Sequence, residues 1–100
     1  MTTRFLGIKK SDRPEKKYYA EFESEGRTRR TYFGAAGMKD FTSFSPAERE
    51  ERKRRYLARH KTSENWNDPE SAGALSRWIL WNKPSVSASL RDYKRRFHFE

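Results

Sequence analysis

The chain has two histidines, His60 and His98, and no cysteine. His60 is followed by Glu64, Asn65 and Asn67, residue types found around nuclease-like acid–base sites. The plainer reading is a histidine at a helix C-terminus followed by a polar loop. Neither histidine stands in an H-x-x-x-H or H-E-x-x-H pattern, and there is no thiol, so a metal site and a cysteine nucleophile are not expected. No cofactor motif is present. Gly34-x-x-Gly37 has too few glycines for a phosphate loop and lacks the following Lys-Ser/Thr. No Ser/His/Asp set has an interpretable spacing. These residues predict a protein without enzymatic activity, with a nuclease-like site around His60 as the weaker alternative.

Stronger chemistry lies in the cations. The 100 residues carry 23 Lys and Arg against 14 Asp and Glu, a formal net charge of +9. Residues 1–50 hold 11 basic and 8 acidic groups, or +3, and residues 51–100 hold 12 and 6, or +6. The surplus falls in short clusters. Arg52-Lys53-Arg54-Arg55 covers a full helical turn, extended by Arg59 and Lys61. Lys94-Arg95-Arg96 follows Arg91, and Arg27, Arg29 and Arg30 share one strand. Such a set predicts phosphate contacts with nucleic acid, and little specific reading of bases, since no known reading module is evident. Tyr19 and Tyr32 lie near those strand arginines, as a single-strand stacking platform would, or as an ordinary cross-strand pair. Phe41, Phe44, Phe97 and Phe99, near loops and the C-terminus, raise the alternative of a structural protein acting through protein contacts.

These side chains need a scaffold, and one domain over residues 1–100 is expected at this length. Aromatic residues are 15% of the chain, so a few large rings can order a composition that is otherwise polar. Residues 4–33 read as three antiparallel strands. Tyr18, Ala20 and Phe22 alternate with Tyr19, Glu21 and Glu23, and Ser24-Glu25-Gly26 marks a hairpin. Residues 34–45 read as a packed loop. Ser45-Pro46-Ala47-Glu48 predicts a helix start with a capping box, and the helix runs over 46–60. Glu48/Arg52, Glu50/Arg54 and Glu51/Arg55 are expected as i,i+4 pairs along it. A second helix over 69–82 carries Ala72, Leu75, Trp78, Ile79 and Trp81, with Trp66, Trp78 and Trp81 assigned to the core. A third, over 85–97, sets Val86, Leu90, Tyr93 and Phe97 in one stripe. The predicted class is α+β.

The longest apolar run is Trp78-Ile79-Leu80-Trp81, too short to span a bilayer, and Met1-Thr2-Thr3-Arg4-Phe5 lacks a leader's apolar region. A protein retained inside the cell, away from membranes, is expected.

Several segments also form a familiar set. They are Tyr32-Phe33-Gly34-Ala35-Ala36-Gly37-Met38-Lys39-Asp40-Phe41-Thr42, Arg55-Tyr56-Leu57-Ala58-Arg59-His60-Lys61, Glu64-Asn65-Trp66, Ala72-Gly73 and Ser76-Arg77-Trp78-Ile79-Leu80-Trp81-Asn82-Lys83-Pro84-Ser85. Over about residues 16–97 the chain resembles a family of small basic proteins of unknown function encoded by large double-stranded DNA viruses. The resemblance implies a viral origin, a DNA partner, and a place in the infected host cell and in the virion with other virion proteins. It assigns no catalytic residue. Tyr32 stands where the pattern has His before Phe-Gly.

Overall fold

A computed structural model of the chain describes residues 3–99. Met1, Thr2 and Glu100 lie outside them, and with them the first two positions of the segment read as leaderless and both extremes of the 1–100 domain. Three strands form one antiparallel sheet in the order β1 (Arg4–Lys10), β2 (Lys16–Ser24), β3 (Arg27–Ala35). Three helices follow: α1 (Pro46–His60), α2 (Ala72–Leu75), continued by a π-helical turn over Ser76–Leu80, and α3 (Val86–Arg96). The expected α+β architecture is therefore present.

Sheet patterning follows the alternation of side chains. Ala20, Phe22 and Phe33 are buried and face the helices. Phe5 and Ile8 both pack against the same core, although three residues apart. Regular alternation would put them on opposite faces, and a bulge between Phe5 and Gly7 corrects this. Leu6, the residue displaced by the bulge, is left exposed.

The core closes with Leu75, Ile79, Leu80 and Tyr93. The stripe expected on α3 packs as expected: Val86, Leu90 and Phe97 flank a fully buried Tyr93. The Tyr93 hydroxyl donates to the Pro69 carbonyl at 2.7 Å. After α3 the backbone turns back, and the Phe99 N–H donates to the Lys94 carbonyl at 2.8 Å. That turn brings Phe99 against Phe5, Phe22 and Tyr93.

Three expectations need correction. The second helix begins at Ala72 and not at 69. Asp68-Pro69-Glu70 forms a turn, and the Ser71 hydroxyl caps the helix by accepting from the Ala74 N–H at 3.1 Å. Trp66, Trp78 and Trp81 are half-buried at the rim, not central. Trp78 keeps its N–H satisfied by the Trp66 carbonyl at 2.9 Å, and a rim position lets a large ring meet both apolar and polar neighbours. At α1, Ser45 makes no side-chain cap. Its hydroxyl meets the Glu48 carboxylate at 3.3 Å, so the capping box does not form.

Candidate nucleic-acid interface

The loop read as packed is pinned at Asp40. Its buried carboxylate accepts from Lys17 Nζ at 2.5 Å and from the Thr42 N–H at 2.9 Å. The neighbouring Phe41 is buried, and its N–H donates to the Leu80 carbonyl at 3.0 Å. Gly34 lies where this loop, β3 and the π-turn meet. Its φ is +81°, a conformation that favours glycine, and a Cβ there would come within 2.8 Å of Leu80 Cδ1, which would have to shift.

These contacts leave a cleft of about 550 Å³ between the end of the sheet, the loop, α1 and the start of α2. Arg52, Arg55 and Arg59 reach it from one side of α1, spaced at helical intervals. Lys16, Lys17 and Lys39 reach it from the sheet and loop. Phe44, Tyr56 and Trp81 supply rings. Tyr56 is stacked with Trp81 at 4.6 Å and with His60 at 4.5 Å. Burial raises the Tyr56 hydroxyl well above its ordinary range, so it stays protonated.

Charge pairing inside the cleft is incomplete. Lys17 belongs to Asp40, and His60 Nδ1 is 2.8 Å from Glu64 Oε2. Glu51 takes Arg55 at 3.3 Å and also holds Arg54. Of the i,i+4 pairs expected on α1, only Glu51/Arg55 forms. Arg52 instead lies 5.1 Å from the centre of the Phe44 ring. Among the described residues, Lys16, Lys39, Arg52 and Arg59 have no carboxylate partner.

The nuclease-like set is only partly assembled. His60 and Glu64 line the same cleft, together with Asp40 from the loop, but Asn65 is absent from the lining and accepts from the Asn67 N–H within its own turn. Both carboxylates are already engaged with basic neighbours. Glu64 Oε1 is enclosed and has no hydrogen-bond partner among the described residues, against Gly73, where a Cβ would lie only 3.0 Å away. No group of three or more His, Asp and Glu able to hold a metal occurs among the described residues.

A second groove crosses the exposed sheet face. It is lined by Arg13, Lys16, Arg29, Arg30 and Tyr32 among others, and Lys16 borders both depressions. The Tyr pair is not a free stacking platform. The Arg30 guanidinium lies 4.3 Å over Tyr19 and that of Arg13 lies 4.0 Å over Tyr32. Tyr19 is buried beneath this cover, and the Tyr32 hydroxyl donates to Asp12 at 2.7 Å, an interaction that lowers the Asp12 pKa. The cross-strand pair is the arrangement present, with ring centres 5.4 Å apart.

The remaining basic residues go elsewhere. Arg27 is exposed beside the hairpin, and Arg29, although it lines the sheet groove, pairs with Glu70 at 2.9 Å. Lys53 is half-buried and donates to the Asn82 carbonyl at 3.1 Å, with burial and then Arg77 lowering its pKa. It fastens α1 to the core. Lys61 is exposed just after α1. Arg91, Lys94, Arg95 and Arg96 line neither depression, and Arg95 and Arg96 both pair with Asp92. Arg13, Lys16, Lys17 and Lys39 were missed by sequence reasoning because each looks like an ordinary strand or loop cation. The available signal was Lys39 beside a two-ring loop that had to pack.

The rings behind the protein-contact reading fold inward. Phe41 is buried, Phe44 is half-buried near Trp81, and Phe97 and Phe99 pack on Tyr93. No helix among the described residues is long and apolar enough to cross a membrane.

Residues 6–60 match a protein family described as a family of unknown function (DUF5754). No curated protein and no solved structure matches the chain. With more than half of its length matched, the chain belongs to that family.

Proposed function

We propose that this member of the DUF5754 family associates with nucleic acid, without catalysis and with little sequence preference, by neutralising phosphates along its basic surface. One observation carries the reading: Lys16, Lys39, Arg52 and Arg59 share a cleft, and none has a carboxylate partner among the described residues. Like charges held together repel unless an anion enters, so the arrangement favours a polyanion. Lys16 also borders the sheet groove, where Arg29 pairs with Glu70 and Arg30 with Glu21 and Asp12, so Lys16 and Arg13 are the groove cations without a carboxylate partner among the described residues that continue the path of a polymer backbone.

DNA is the favoured polymer. That preference, a viral origin and packaging in the virion all rest on the resemblance to small basic proteins of double-stranded DNA viruses. Binding to mixed-sequence duplex DNA over a salt series tests the reading. About five phosphate contacts give a log–log slope near −4.5. No binding at low salt, or affinity independent of salt, would overturn it.

A further inference from the structure

We infer that the cleft receives a single unpaired nucleotide, with its base inside against the rings and its phosphates at the cationic rim. The inference rests on the nucleic-acid reading above and deepens it by naming the form of polymer that the site prefers.

Three observations converge. The first is size. At about 550 Å³ the cleft falls within the range of about 300–1,000 Å³ typical of sites that enclose small organic ligands. It can admit one nucleotide unit, whereas a duplex could only lie across its mouth. The second is the mixture of side chains. Phosphate contact alone needs cations on an open surface. Here the half-buried rings of Phe44 and Trp81 line the same space as Lys39, Arg52 and Arg59; Tyr56, buried and stacked with both Trp81 and His60, backs Trp81, and Arg52 and Lys39 lie 5.1 and 5.7 Å from the Phe44 ring centre. Flat rings suit a base, because every base has a π-face, while an acidic peptide or a lone phosphate would use only the charges.

The third is continuity. A nucleotide in the cleft must be joined to others, and Lys16 leads from the cleft to the sheet groove. The sheet tyrosines lie beneath arginines, and Glu21 lines the groove and pairs with Arg30, so the groove offers a backbone Lys16 and Arg13 and no uncovered tyrosine ring. The site is therefore built to hold one base and to guide the chain on either side of it. A paired base must first leave its stack, at a cost of a few kcal/mol, whereas an unpaired base pays much less. Single strands, loops and strand ends are thus preferred over continuous duplex.

The test compares three ligands of equal length, about twelve units: a thymidine single strand, the same backbone carrying abasic sites, and a duplex. Affinities are read by fluorescence anisotropy at one salt concentration. The thymidine strand is expected to bind about tenfold more tightly than either competitor. Ala35→Ile and Ala72→Leu each add aliphatic bulk at an exposed position lining the cleft, without removing a charge or adding a ring on which a base could stack. Each should abolish the preference for the base-bearing strand over the abasic one. Two separate positions and the abasic comparison mean that misfolding of one variant, seen by thermal unfolding, does not decide the outcome.

Equal affinity for abasic and base-bearing strands would overturn the inference, as would a preference that survives in both filled variants. If duplex binding remains salt-dependent in those cases, the broader nucleic-acid reading stands. Failure to bind any of the three polymers at low salt would overturn both.

Discussion

The basic runs at Arg52–Arg55 and Lys94–Arg96 look alike in sequence, yet the fold puts them to different uses. On α3, Asp92 lies three residues before Arg95 and four before Arg96, and it is buried. It accepts from Arg95 at 2.6 Å, from Arg96 at 3.4 Å and from the Asn82 amide at 2.7 Å. Arg96 also sits 3.7 Å over the Trp78 ring, with Arg77 at 4.1 Å from the same ring. These cations tie α3 to the π-turn. On α1, Glu51 holds Arg54 and Arg55, while Arg52 and Arg59 extend into the cleft without a partner among the described residues. The position of one acid in the helical register separates a structural cation from an available one, and net charge does not report that difference.

The comparison is most sharply broken through Trp78, which serves only the structural side. Trp78→Ala removes the ring between two guanidiniums and the indole bond to Trp66. A loss of about 3 kcal/mol is expected, the lower end for Trp truncation because the ring is half-buried. In a chain of this size that lowers the melting temperature by more than about 10 °C. The variant that remains folded should bind duplex DNA within about twofold of the parent.

The converse test uses Arg52→Gln with Arg59→Gln. Loss of two phosphate contacts should lower duplex affinity about a hundredfold near 50 mM salt and flatten the salt slope by about 1.8. Stability should change by less than about 1 kcal/mol, since neither side chain has an ion pair among the described residues. A normal slope in the double variant would show that the cleft cations are ordinary surface charge.

A smaller effect isolates Asp92. Burial alone would raise its carboxyl pKa, but hydrogen bonds from Asn82 and Arg95, with Arg96, outweigh burial and hold it below the usual carboxylate range. A depressed folded pKa stabilises the protein fully above the unfolded value of about 3.9, and the contribution is lost as pH falls through the folded value. Asp92→Asn should cost about 1–2 kcal/mol at neutral pH by weakening a buried hydrogen-bonded network. Denaturant titrations of parent and variant should differ by a constant amount above about pH 5 and converge below pH 4. A difference independent of pH would mean that the carboxylate's charge is not what anchors α3.

Much of the scaffold was legible because it rests on local rules. The alternation around Ala20 and Phe22, the stripe through Tyr93 and the hairpin at Gly26 all follow from period and turn chemistry. The first helix begins at Pro46 as its Ser-Pro signal predicts, whereas the second start was misplaced because Asp68 and Ser71 are both acceptable caps by residue type. The cleft was hardest to see. It joins Lys16 and Lys39 to Arg52 and Arg59 across a sheet end, a loop and a helix, and no single stretch of sequence contains that pattern. The four-residue spacing of Glu48 and Arg52 actively misled: Arg52 has a ring within reach at Phe44, and Glu48 faces the Ser45 hydroxyl.

The smallest expected effect is the most searching test of the division between the two basic runs. Arg91 is exposed on α3 and Lys94 is half-buried there, and neither lines the cleft or the sheet groove. Arg91→Gln with Lys94→Gln removes as much formal charge as neutralising two residues of the cleft. If net charge governed binding, both double neutralisations would flatten the salt slope alike. If local placement governs it, the α3 variant should change duplex affinity by less than about threefold and leave the slope within about 0.5 of the parent, since residual long-range attraction is screened beyond about 10 Å at 0.1 M salt. A slope reduced by nearly two would extend the phosphate-contacting surface onto α3 and erase the distinction.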